Sequence, residues 1–119
     1  MSIRAERVAG EIKKVLSQPV SELARTHSAG MATITAVRLS SDLTIAKVYV
    51  SLYGKNFPPL QFISILDRAK GSLRTQVGAA IRLRSTPDLK FFIDDTMDEM
   101  DHIQKLIDSV KTGDSYNAN

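Results

Sequence analysis

From Leu43 to Leu52 the chain alternates with a period of two. Ala46, Val48, Val50 and Leu52 fall on one side, and Ile45, Lys47, Tyr49 and Ser51 on the other. Successive side chains of a strand point to opposite faces, whereas a helix would scatter such a pattern around its axis. Residues 43–52 are therefore expected to form a strand, with the valine set facing a core. Residues 32–39, with Ile34, Val37 and Leu39 among threonines, suit a second half-buried strand. Ser40, Ser41 and Asp42 supply turn chemistry between the two. So short a connection implies an antiparallel hairpin.

Helical spacing surrounds this hairpin. Ile3, Val8, Ile12, Val15 and Leu16 predict a helix over 3–16. Pro19 is expected to stop or kink it, with Ser17 capping a second short piece through Leu23. His27, Ser28 and Gly30 mark a loop. Gly54 ends the second strand, and Pro58 and Pro59 are placed to open a helix carrying Phe62, Ile63, Leu66 and Ala69. Leu73, Val77 and Ile81, spaced by fours, predict a further helix over Ser72–Leu83. Pro87 breaks the run, and Leu89–Ile93 reads as a third strand. Asp95 or Thr96 is placed to cap a last helix through Val110. The order is α-β-β-α-α-β-α, an α+β fold whose third strand follows a long crossover and can lie parallel to a neighbour. Helices on one face would leave the other face of the sheet partly open. The domain is expected over 1–111, with 112–119 a disordered polar tail.

The 119 residues fit one domain. Zero cysteines exclude disulfides and thiolate metal sites. Neither a signal peptide nor a run long enough for a membrane helix is visible, so a cytoplasmic location is expected. The net charge of +3 hides an uneven distribution. Residues 43–90 hold eight basic and two acidic side chains, whereas residues 91–119 hold two basic and seven acidic. A basic middle beside an acidic end suits an oriented encounter with a polyanion, although uneven charge is also common on ordinary surfaces.

Several local motifs resemble the ribosome-binding factor A family. These are the hairpin stretch from Ser40 to Ser51 (SSDLTIAKVYVS), Arg82-Leu83-Arg84 followed by Pro87-Asp88-Leu89-Lys90-Phe91, and Arg7-Val8 in the first helix. The resemblance runs from about Ile3 to Val110. It implies a type II KH-like RNA-binding domain with a three-stranded mixed sheet. A typical KH domain clamps nucleotide backbone with a Gly-x-x-Gly loop between its central helices. Here no two glycines are three apart, and the junction is Ala69-Lys70-Gly71. That tripeptide resembles the family's Ala-x-Gly kink, with Ala69 and Gly71 as its structural residues. The segment Arg25–Gly30 departs from the Lys-Asp-Pro-Arg-like loop of many members, and the C-terminal extension of some members is missing. The resemblance implies a factor that binds the small (30S) ribosomal subunit or its precursor. It would assist maturation and 5′-end processing of 16S rRNA and support growth in the cold. Ribosomal proteins and other assembly factors are further implied partners. No cofactor and a monomeric state are expected.

The candidate RNA-binding residues are Lys70, Gly71, Arg74, Arg82 and Arg84 around the second central helix, and Lys47 and Arg38 on the hairpin. Gly71, Arg74, Gly78 and Arg82 would share one helical ridge. Arginines can fork onto phosphates there. Gly78 has two readings, close approach of RNA backbone or close packing within the fold. Lys47 beside Tyr49 is either an RNA platform or an ordinary exposed strand face. Arg84 could reach RNA or pair with Asp88. With 6% aromatic residues, shape and phosphate recognition are expected to outweigh base stacking. Asp94, Asp95, Asp98, Glu99 and Asp101 read as a helix cap and first-turn acids rather than a metal site. His27 and His102 have no recognisable catalytic partners, so no enzyme is expected. Two other classes stay open, a general single-strand RNA binder and a protein-interaction module without RNA contact.

Overall fold

The computed structural model describes residues 3–54 and 56–94. The apolar spacing of the N-terminal segment forms one helix, α1, over Ile3–Thr26. Its buried stripe continues without a break through Ala5, Val8, Ala9, Ile12, Leu16, Val20 and Ala24. Of the two outcomes expected at Pro19, a stop or a kink, this rules out the stop. A proline inside a helix costs about 3 kcal/mol or more, through a lost hydrogen bond and a ring clash. Burying a valine such as Val20 returns roughly 1.5–3 kcal/mol, and Ala24 is buried one turn further on. Ser17 does not cap a new helix. Its Oγ donates back to the Lys13 carbonyl at 2.7 Å, within the same helix.

α1 ends in a Schellman closure. Ala29 N–H donates to the Ala24 carbonyl at 2.8 Å and Ser28 N–H to the Arg25 carbonyl at 3.1 Å. Ser28 occupies the left-handed position, φ 53°, where glycine is the usual residue. The divergent Arg25–Gly30 segment thus turns the chain from α1 into the sheet.

The hairpin strands are β1 (Met31–Leu39) and β2 (Ile45–Tyr53), paired antiparallel. Ile34 and Val37 are three residues apart, yet both face inward, and the register explains it. The register shifts between Ile34 and Ala36, so Thr35 is an extra residue in β1. Ile34 then faces Val50 on the inner side, and Val37 faces Val48 on the same side. At the turn, Ser40 N–H donates to the Ile45 carbonyl, and Leu43 adopts φ 63°. Asp42 Oδ1 accepts from Ser40 Oγ and Thr44 Oγ1, each at 2.7 Å, and from Thr44 N–H at 3.2 Å. These bonds, the Ser40 hydroxyl first, hold the Asp42 carboxyl below the usual aspartate pKa.

After Gly54, α2 (Pro59–Arg68) opens on proline and buries Phe62, Ile65 and Leu66. A single residue, Ala69 at φ −90° and ψ 1°, separates it from α3 (Lys70–Ala80). α3 stops three residues short of the expected Leu83. Ile81 takes extended angles, φ −125° and ψ 125°, yet remains buried. The spacing by fours therefore continues past the helix end, because Ile81 enters the core as the chain turns toward Pro87. Thr86, before Pro87, is biased away from helix by the proline ring.

β3 (Asp88–Ile93) lies parallel to β2, giving the order β1-β2-β3. Ile34, Val48, Val50, Leu89 and Phe91 point inward toward the helices. α1 lies chiefly over β1, α2 against β3, and α3 against α1. The helices pack on one face, as the type II KH-like arrangement requires. The expected last helix and tail lie outside the described residues.

Replacing Ser28 by glycine is expected to stabilise the domain by up to about 1 kcal/mol, since glycine bears no left-handed penalty. Urea unfolding measures this, and a loss of stability would contradict the closure described. The Asp42 carboxyl should titrate below ordinary aspartates in a carbon-detected NMR titration. The native contribution of the turn is then present above the ordinary carboxylate pKa and lost as pH falls through the lowered one. A midpoint at or above the ordinary value would remove the network from the folded protein.

Candidate nucleic-acid interface

The seven predicted residues fall on two sides of the molecule. Arg38 and Lys47 lie on the outer face of the sheet, away from the helices. Lys70, Gly71 and Arg74 lie in the helical layer. Arg82 and Arg84 are exposed in the loop from α3 to β3, not on the helical ridge expected for Arg82.

On the outer face, strand register brings charges together. Arg38 is the cross-strand partner of Lys47, and Lys47 is the partner of Lys90 on β3. Three exposed cations therefore form a row across three adjacent strands, spaced by about 4.8 Å per strand. Like charges placed opposite one another destabilise a sheet. Among the described residues the one ion pair within 4.0 Å joins Arg25 and Glu22, so no described acid pairs directly with the row. Asp88, two residues before Lys90 on the same face, makes no such pair with it or with Arg84. A bound polyanion would turn this repulsion into attraction.

The next row on this face is aromatic. Tyr49 and Phe92 are register partners, and their rings stack with centroids 5.4 Å apart and planes 25° from parallel. Beyond them Thr35 Oγ1 donates to Asp94 Oδ2 at 2.6 Å, and it also reaches the Tyr49 carbonyl at 3.3 Å. Lys90 and Phe92 were not among the sequence candidates. Their alternation with the core residues Leu89 and Phe91 was visible, but the register placing them beside Lys47 and Tyr49 was not.

The helical side is built around the kink. Lys70 is half-buried and Gly71 exposed. A Cβ built at Gly71 meets nothing within 4 Å, and its backbone is not left-handed. Glycine in a helix costs about 1 kcal/mol relative to alanine, so the fold by itself does not require Gly71. Gly78 differs. A Cβ there would lie 2.8 Å from Thr86 Oγ1, which gives the packing reading a named neighbour, the α3–β3 loop. Arg74, one turn earlier, holds the same loop. Its Nε donates to the Pro87 carbonyl at 3.1 Å and Nη2 to the Thr86 carbonyl at 2.9 Å. A guanidinium carries five N–H donors, so these bonds leave capacity for a second partner. The loop held this way presents Arg82 and Arg84 and enters the sheet at Asp88, about 7 Å along β3 from Lys90.

No described helix is long and apolar enough to cross a membrane. Among the described residues no group of three or more His, Cys, Asp or Glu side chains could hold a metal ion. Of the acidic set, only Asp94 lies within the described residues.

This geometry has known counterparts. The family model for ribosome-binding factor A matches residues 4–107. A ribosome-binding factor A from Natranaerobius thermophilus is 34% identical over 112 residues, covering 94% of this chain and 86% of that protein. One from Brevibacillus brevis is 37% identical over 109 residues, covering 92% and 90%. The crystal structure of ribosome-binding factor A from Thermus thermophilus superposes with a TM-score of 0.64 at 25% identity, covering 75% of this chain and 93% of that one. A Thermus thermophilus homology model fitted into a cryo-EM map of its 30S complex shares the fold, with a TM-score of 0.59 at 22% identity over 76% and 94% of the chains. The chain belongs to the ribosome-binding factor A family.

Proposed function

We propose that this protein binds the small ribosomal subunit or its precursor in the cytoplasm and assists assembly and maturation of 16S rRNA. Processing of the RNA's 5′ end and growth in the cold are the settings in which the role would show. The observation that carries the reading is the row Arg38–Lys47–Lys90, which pairs with no described acid within 4.0 Å, on a domain of this family. The Thermus thermophilus ribosome-binding factor A fitted into a 30S complex supports the choice of subunit.

The mechanism needs no bond made or broken. Arg38, Lys47 and Lys90 on the sheet, and Lys70, Arg82 and Arg84 on the helical side and its loop, grip phosphate oxygens of folded RNA. A factor that binds one arrangement of an RNA more tightly than another shifts the population toward it. Ribosomal proteins and other assembly factors are partners of the same docked state. Arg74 contributes by holding the α3–β3 loop, so its removal would disturb fold and binding together.

Lys47→Glu separates these effects. A carboxylate between Arg38 and Lys90 forms opposite-charge cross-strand pairs, each worth about 0.2–1 kcal/mol, so thermal stability should rise slightly. Co-sedimentation with purified 30S subunits should weaken, with a shallower dependence on salt. Unchanged co-sedimentation would rule out the sheet row as a subunit contact. Gly71→Ala should stabilise the free protein by about 1 kcal/mol. Weaker subunit binding by that more stable variant would assign the kink to the interface, and unaltered binding would remove it.

A further inference from the structure

Among the described residues, the aromatic row on the outer sheet face has no packing partner that explains its exposure. Phe92 is 40% exposed, although four other strand positions nearby bury their apolar side chains completely or almost so: Val48, Val50, Leu89 and Phe91. Tyr49 covers one face of the Phe92 ring. Among the described residues β3 is an edge strand, with β2 on one side only. The cation row lies two residues along the same strands, about 7 Å away.

We propose that this outer face is a platform for single-stranded RNA, in which an unpaired base stacks on the Tyr49–Phe92 pair while Arg38, Lys47 and Lys90 hold the adjoining phosphates. The proposal rests on the RNA-binding reading above and adds the class of RNA that this face selects. Inside a duplex both faces of a base are covered by its neighbours, so only an unpaired base can lie on a ring. Aromatic stacking accepts any base, because each has a π-face, and the lysines and arginine track the backbone. The face is also polarised. The Thr35–Asp94 pair stands beyond the aromatic row, on the side away from the cations. A strand would lie with its phosphates toward Arg38, Lys47 and Lys90, whose charge attracts them.

The helical side and the sheet face point in different directions. A factor using both would join a folded RNA element to an unpaired segment, which is the pairing an incompletely assembled RNA offers.

Fluorescence anisotropy of the full chain with a labelled ten-residue oligouridine, and with an RNA hairpin of equal length, tests the platform. The oligouridine should bind more tightly. Phe92→Ala should weaken that binding roughly 5- to 100-fold, the range of one lost base stack, and Phe92→Tyr should restore most of it. The Phe92 ring protons of the unmodified protein should move upfield on titration with oligouridine, a signature that does not depend on any variant folding. Equal affinity of Phe92→Ala and the parent, equal binding of the hairpin, or unmoved ring protons would overturn the proposal. A parent protein that co-sediments with 30S subunits but ignores oligouridine would overturn it while leaving the subunit-binding reading intact. Failure to bind either would overturn both.

Discussion

The structure depends on one burial event, the packing of the α1 stripe and the central helices onto a single face of the sheet. Ile12, Leu16, Val20, Phe62, Leu66, Val48, Val50 and Leu89 meet there with no measurable exposure. Burying side chains of this size contributes about 1.5–3 kcal/mol each, before conformational entropy offsets most of the sum. This event fixes what the other face is for. A three-stranded sheet that spends its apolar residues on one side presents the alternate residues on the other, and here those are Arg38, Lys47, Tyr49, Lys90 and Phe92.

The same burial explains two departures from local rules. Pro19 sits within α1 because the stripe on both sides of it is held against the sheet. α3 ends at Ala80, although the apolar spacing runs on, because Ile81 reaches the core from an extended backbone. The loop released by that early end is then tied down by Arg74, through the carbonyls of Thr86 and Pro87, and lies close enough to α3 that Gly78 leaves room for Thr86. A residue that looked like a free phosphate ligand is thus also a structural clasp. Arg82 and Arg84 owe their presentation to it.

The elements themselves were largely legible in the chain. The period of two expected over residues 43–52, the prolines that open α2 and the tripeptide Ala69-Lys70-Gly71 between two helical patterns each reflect forces acting within a few residues. The site was legible only in part. Lys47 was recognisable as an outward-facing hairpin residue and Arg38 as a hairpin residue, but Arg38 joins that face through the β1–β2 register, and Lys90 and Phe92 through the β2–β3 register. The bulge at Thr35, which lets Ile34 and Val37 face the same side, emerged only from the β1–β2 register.

By itself the sequence determined the strand and helix types, the kink between α2 and α3, the family motifs and the outward direction of Lys47. These follow from steric and hydrophobic preferences of neighbouring residues. Only the tertiary structure decided that α1 runs through Pro19, that Arg74 closes a loop, and that three cations align beside a stacked aromatic pair. Each of these depends on contacts between residues far apart in the chain, where packing energy overrides or completes what local preference leaves undetermined.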